Sequence, residues 1–243
     1  MLPSIDLRAV LTALERALLP PQCLACEEAV PRSDGEALIC VVCRSRWRRV
    51  APPHCARCGG TLPPEGRCGF CTDWPEALST VWAAVWLDEG ARVAMHRLKY
   101  GGWWRVADAV AVGMQPVPLL QVPSVLVPIP LGRRRLRSRG YNQAERLAQA
   151  LARYGDHEVR PDLLRRRRET GTQTKLTPEA RRANVSGAFE APGPIQGRVV
   201  LVDDVLTTGA TLAEAALALA AAGAESVAAI TFARARPPAT MLD

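Results

Sequence analysis

The chain of 243 residues is 48% apolar and 23% charged, the make-up of a soluble globular protein with room for one large domain or two smaller ones. A formal net charge of +7 points to anionic partners, nucleic acid or phosphorylated metabolites. Lys99 and Lys175 are the only lysines, so nearly all of that charge is arginine, and no apolar run reaches the length of a membrane span.

The N-terminus lacks a basic stretch ahead of an uninterrupted apolar core and does not read as a signal peptide. Leu7, Val10, Leu11, Leu14 and Leu18 fall on one helical face, and Pro20-Pro21 ends the run. A helix packed on its own protein is favoured over a membrane-surface helix, because Asp6 and Glu15 dilute any basic face.

All eight cysteines lie between Cys23 and Cys71, as the pairs Cys23/Cys26, Cys40/Cys43, Cys55/Cys58 and Cys68/Cys71. A C-x-x-C turn sets two thiolates on one side of a tetrahedral ion and two turns complete it, so the count matches two structural Zn2+ sites. Disulfides are the competing reading, weakened by the regular spacing and the absence of an export signal. Sharing of the first knuckle with the second and the third with the fourth is the simpler arrangement; interleaving satisfies the same spacing. His54 stands beside a full set of thiols and reads as a bystander. Few apolar residues lie outside the knuckles, so metal would supply much of the folding energy of this segment. Arg44, Arg46, Trp47, Arg48 and Arg49 then form a basic cluster with one aromatic, which fits either single-strand binding by charge and stacking or a solvated arginine face with a packed tryptophan.

Composition shifts near Asp73-Trp74-Pro75, which divides the chain into an N-terminal helix and zinc-binding domain over 1–75 and a second domain over 76–243. Val81 to Leu87 reads as a strand and Gly90 to Tyr100 as a helix ending in His96, Lys99 and Gly101-Gly102. His96 reads as structural, whereas Lys99 suits either a ligand or the helix C-terminus. Ser124 to Pro130 is a second buried-strand candidate. It leads into a loop with five arginines, Arg133 to Arg139, and a helix to Arg153. Arginines at the carboxyl end of a strand suit a diphosphate. A plain solvated run explains Arg134 and Arg135 well, and Arg139-Gly140-Tyr141-Asn142-Gln143 less well. Pro161 to Arg182 is polar and weakly periodic, as a mobile lid or a plain loop would be.

The chain is organised around Val199 to Thr211, VVLVDDVLTTGAT. Val199 to Val202 form a β-branched run typical of a buried parallel strand, followed by Asp203 and Asp204, a turn Thr207-Thr208-Gly209-Ala210-Thr211, and an Ala/Leu-rich helix to Ala222. Free amides of the turn, the helix dipole and the threonine hydroxyls make a phosphate site, and Gly209 would let backbone approach the phosphate closely. Carboxylates beside an anion site make sense where they accept hydrogen bonds from hydroxyls on the same ligand, as in a ribose 5-phosphate.

This run closely resembles the binding motif for phosphoribosyl diphosphate (PRPP) of the type I phosphoribosyltransferases. The resemblance implies an α/β fold, a parallel sheet flanked by helices, preceded here by the small zinc-binding domain with its four-cysteine sites. It places Asp203 and Asp204 on the ribose hydroxyls and on Mg2+, Thr207, Thr208, Gly209, Ala210 and Thr211 on the 5′-phosphate, and Arg133 and Arg139 on the pyrophosphate. It also implies a flexible hood from the interval around Pro161 to Arg182. Purine-salvage members with an acidic residue at the position of Thr207 direct it at the purine, and this chain has none there. The linked motifs, four knuckles, LKYGG, VPIP, RGYNQ and VVLVDDVLTTGAT, resemble the ComF family of bacterial competence proteins from about Pro20 onward. That family implies a cytoplasmic protein of natural transformation, with single-stranded DNA and other DNA-uptake proteins as partners. Catalysis with PRPP and a non-catalytic DNA-binding or docking role both remain compatible with it.

Overall fold

The computed structural model describes residues 21–50, 52–62, 66, 68–169 and 185–236. The helix expected around Leu7 to Leu18 and much of the expected lid, residues 170–184, lie outside the described residues.

A five-stranded parallel sheet forms the centre. Its members are β1 (Leu78–Trp86), β2 (Ser124–Pro128), β3 (His157–Val159), β6 (Arg198–Leu206) and β7 (Ser226–Arg234), in the order β1-β7-β6-β2-β3. A small antiparallel ribbon pairs β4 (Arg165–Arg166) with β5 (Phe189–Glu190). Among the described residues the α-helices are α1 (Val41–Ser45), α2 (Glu89–Lys99), α3 (Val106–Met114), α4 (Arg133–Arg139), α5 (Gln143–Ala152) and α6 (Ala210–Ala221).

Period-two alternation assigns the strand residues to two cores. Leu126, Val200, Val202, Ile230 and Phe232 pack beneath α2, α3 and α5. Val127, Val199, Leu201, Val227 and Ala229 pack against α6 through Leu212, Ala215, Ala216 and Leu219. Both faces are covered, which is why the strands read as continuous apolar runs. Local chemistry sets the helix starts. Asp88 accepts a hydrogen bond from the Ala91 amide at 3.0 Å to begin α2, and Asn142 accepts one from Ala144 at 3.1 Å to begin α5.

The cysteine-rich segment is built into this layered structure. Cys23, Ile39, Cys40 and Trp47 belong to the core on the α2/α3/α5 face, whereas Cys58, Cys71 and Trp74 belong to the one on the α6 face. Between them the chain runs along the outer edge of β1. The Trp86 amide donates to the Arg48 carbonyl at 2.8 Å and the Val81 amide to the Arg57 carbonyl at 2.7 Å. An edge strand that would otherwise expose unpaired backbone is thereby covered.

One expectation changes here, and one open alternative is decided. The arginine-rich stretch after β2 is the helix α4, closed by Gly140 in the left-handed region at φ 82°. Trp47 is unavailable for stacking on a nucleic acid. It is 5% exposed, and its ring meets Phe232 edge-on at 4.7 Å while pressing on Gly113, where a Cβ would lie 2.2 Å from the indole. Its neighbours serve the fold as well: Arg44 pairs with Asp34 at 2.6 Å, and Arg49 donates to the carbonyls of Met114 and Gln115.

Candidate functional site

The strand order places the site. From β2 the chain proceeds outward to β3, and from β6 it proceeds the other way to β7, although β2 and β6 are neighbours. The crevice outside the carboxyl ends of β2 and β6 is therefore the switch point where ligands bind in open α/β sheets. A cleft of about 610 Å³ lies there, walled by Ile129 to Leu131 after β2, by Asp203 to Leu206 at the end of β6, and by Thr207, Gly209 and Thr211 of the following turn.

Asp203 and Asp204 lie within β6 rather than after it, since the strand runs on to Leu206. Asp204 is buried and forms an ion pair with Lys99 at the end of α2. Burial opposes its charge, but Lys99 outweighs burial and holds the Asp204 carboxyl below its ordinary value. Burial likewise opposes the Lys99 ammonium, and Asp204 more than restores it, so its pKa is raised. Among the described residues Asp203 forms no such ion pair, and Lys99 lowers it only weakly. Burial first, and the adjacent Asp204 charge second, push it well above the usual carboxylate range. Its Oδ1 accepts the Asp204 amide at 2.8 Å.

The other predicted residues divide. Thr207, Gly209 and Thr211 line the cleft; Thr208 turns away, its carbonyl accepting from the Trp74 indole at 3.1 Å, and Ala210 begins α6. Arg139 lines the cleft, but Arg133 does not. Helical phase is the reason: Arg135 and Arg139 lie four residues apart on one face of α4, whereas Arg133 lies about 200° from Arg135. Arg133 is exposed, while Arg135 and Arg139 are half-buried. Gly209 also has a different role from the one expected. Its φ is 80°, and its bare face meets Trp74, not the cleft: a Cβ there would sit 2.3 Å from the indole.

Sequence reasoning sets Arg135 aside as solvated and misses Arg166, which enters the cleft from the β4–β5 ribbon. Burial, then Arg135, lower the Arg166 pKa, as befits two cations set to share an anion. Lys99 stands out in the sequence as a rare lysine beside Gly101-Gly102, suited to a ligand or to the helix C-terminus, with nothing to name Asp204 as its partner. RGYNQ holds the end of the helix that carries Lys99: Tyr141 donates to the Leu98 carbonyl at 2.7 Å and Asn142 to the Ile129 carbonyl at 3.0 Å, which ties the last turn of α2 to the loop after β2.

The cysteines form two clusters, Cys23/Cys26/Cys40/Cys43 and Cys55/Cys58/Cys68/Cys71, in the sequential arrangement. Zinc–sulfur bonds of about 2.3 Å in a tetrahedron require sulfur atoms about 3.8 Å apart. The Cys23–Cys43 and Cys26–Cys40 separations are 3.9 Å, and Cys55–Cys71 and Cys58–Cys68 are 3.7 and 3.6 Å. The donor sets fit two zinc ions. His54 instead bonds through Nε2 with the Val50 carbonyl at 2.8 Å.

Comparison with known proteins agrees with this arrangement. Residues 14–72 match the double zinc ribbon domain and residues 136–242 the phosphoribosyl transferase domain. The DNA utilization protein YhgH of Escherichia coli K12 is 33% identical over 220 residues, covering 86% of this chain and 95% of its own. Competence protein F of Haemophilus influenzae is 30% identical over 78% of this chain and 87% of its own. The chain belongs to the ComF family. Competence protein ComFC of Bacillus subtilis, at 28% identity over 81% of this chain and 84% of its own, is a further relative. This ComF protein thus couples a double zinc ribbon to a phosphoribosyltransferase domain, and none of its described helices is long and apolar enough to cross a membrane.

Proposed function

We propose that this ComF protein binds PRPP with Mg2+ in the cleft and acts as a phosphoribosyltransferase in the cytoplasmic handling of single-stranded DNA during natural transformation, together with other competence proteins. The observation that carries the reading is the acidic pair and the Thr/Gly turn, both facing one cleft at the switch point of the sheet, with Arg135, Arg139 and Arg166 across from them. Thr207, Thr211 and the turn amides hold the 5′-phosphate. Asp203 and Asp204 accept the ribose hydroxyls, and Arg135 and Arg139 take the diphosphate as it leaves C1′. Magnesium, when bound, offsets the diphosphate charge. Lys99 already supplies one cation to the acidic pair and keeps Asp204 ionised in the free protein.

Calorimetric titration of PRPP with magnesium into zinc-loaded protein, alongside Asp203→Asn/Asp204→Asn, tests the reading. Saturable binding abolished in the double variant is the expected result; no binding by the wild type refutes it.

A second reading, DNA binding with PRPP as a regulator and no turnover, is favoured by the exposed aromatics after α2. Tyr100, Trp103 and Trp104 follow α2 with 57%, 41% and 40% exposure. Arg139 lies over the Tyr100 ring at 5.6 Å and Arg146 over Trp104 at 4.7 Å. Exposed aromatics interleaved with arginines suit stacked bases and a phosphate backbone. DNA affinity that persists in the Asp203/Asp204 double variant and falls with salt separates this reading from the first.

A further inference from the structure

The turn that walls the cleft is held from behind by the cysteine-rich segment. Trp74 is 7% exposed, donates its indole N–H to the Thr208 carbonyl at 3.1 Å, and fills the space that a Cβ on Gly209 would need. Thr208 C=O and Gly209 N–H belong to one planar trans peptide and point in opposite directions. Fixing the carbonyl on Trp74 therefore turns the Gly209 amide away from Trp74.

Trp74 is in turn held by the second cysteine cluster. Phe70, between Cys68 and Cys71, meets the Trp74 ring edge-on at 5.7 Å. Arg57, between Cys55 and Cys58, donates to the carbonyls of Cys71, Trp74 and Pro75 at 3.2, 2.8 and 2.7 Å. Arg234, at the end of β7, donates to the Cys58 carbonyl at 2.9 Å and lies 5.0 Å from the Phe70 ring. The first cluster has no such path among the described residues. Its segment joins α2 and α3 on the opposite face of the sheet, through Leu24, whose carbonyl accepts from Arg97 at 3.1 Å, and through Trp47.

We propose that Trp74 is a positioning residue for the phosphate turn and that, through it, the second four-cysteine cluster but not the first sets the affinity of the cleft for a phosphomonoester. This rests on the reading of Thr207 to Thr211 as the phosphate site. Trp74→Phe removes the indole donor together with the part of the bicyclic ring that packs on Gly209, while keeping an aromatic ring against Phe70. A neutral hydrogen bond contributes roughly 0.5–1.5 kcal/mol, which converts to a loss in affinity of about three- to tenfold.

The experiment titrates ribose 5-phosphate into zinc-loaded wild type, Trp74→Phe, Cys68→Ser and Cys26→Ser, with zinc content and thermal midpoint measured on each. Trp74→Phe is expected to weaken binding about three- to tenfold with its full zinc content, Cys68→Ser to weaken it at least as much, and Cys26→Ser to leave it within about twofold. The wild-type Trp74 indole N–H resonance is expected to shift on ligand binding. A Trp74→Phe protein that melts lower yet binds as well as wild type overturns the proposal and leaves the phosphate site standing. Equal losses in Cys26→Ser and Cys68→Ser overturn the assignment to one cluster. Should Cys68→Ser fail to fold, Trp74→Phe and the indole shift decide. Failure of the wild type to bind ribose 5-phosphate overturns the phosphate reading itself.

Discussion

Replacing Lys99 by Met tests the electrostatics of the cleft most directly. Lys99 and Asp204 form an ion pair whose side chains are 27% and 8% exposed. Removing one partner of a buried pair costs about 3–5 kcal/mol, because the other charge is left uncompensated. With Lys99 about a quarter open to solvent, about 3 kcal/mol is expected at neutral pH, and at roughly 2–4 °C per kcal/mol for a chain of this size the midpoint falls by about 6–12 °C. The sign with pH follows from the two shifts. Asp204 is depressed, so its contribution is present above the ordinary carboxylate value and is lost as acid protonates it. Lys99 is raised, so its contribution is present at neutral pH and below and is lost in strong base. In Lys99→Met the burial of Asp204 is no longer opposed by Lys99, and the penalty shrinks as pH falls and the carboxyl takes a proton. Asp204→Asn alone strands the ammonium, whereas the double variant Lys99→Met/Asp204→Asn removes both charges. Thermal denaturation of the four proteins in zinc-saturating buffer closes the cycle, with an expected coupling of about 2–3 kcal/mol. Additivity within about 0.5 kcal/mol would refute a working ion pair.

Other variants test the assignments of the aromatics and of Asp203. Trp47→Ala is expected to lose about 3–5 kcal/mol, as for a large aromatic removed from a core, and to bind a labelled single-stranded oligonucleotide as wild type does. Trp103→Ala/Trp104→Ala is expected to do the reverse, nearly retaining its melting midpoint and losing about 1–3 kcal/mol of oligonucleotide affinity per stacked base by fluorescence anisotropy. Loss of DNA binding in the first variant and not the second would return the interface to the zinc ribbon. Because burial and Asp204 raise Asp203, binding of magnesium and PRPP is expected to expel a proton from it, and affinity to rise as pH rises towards the raised value. Calorimetric enthalpies that track the buffer's heat of ionisation report that proton. Enthalpies equal in all buffers would show that Asp203 is already ionised.

What could be read from the sequence is what short stretches determine alone. The spacing of each C-x-x-C fixes two thiols on one turn, and a β-branched run before VDD and TTGAT specifies strand, carboxylates and turn within thirteen consecutive residues. Several strands and helices followed from local periodicity, the parallel sheet flanked by helices followed from the family resemblance, and α3, α4 and β3 were not read. Pairing of the knuckles was not decided, because either arrangement satisfies the local geometry and only the β1 edge, running between the two cysteine clusters, separates them. Choosing Arg135 over Arg133 required the phase of α4, which a stretch read as loop does not have. Lys99 and Asp204 stand 105 positions apart, and Trp74 and Thr208 stand 134 apart. Gly209 shows the difference most plainly. The sequence alone places a residue without a Cβ in the turn, but only the packed structure decides which side the missing Cβ opens, and here Trp74 occupies it. Local chemistry determined which groups the site would contain. Their mutual arrangement was decided by close packing between segments distant in the chain, which no local pattern encodes.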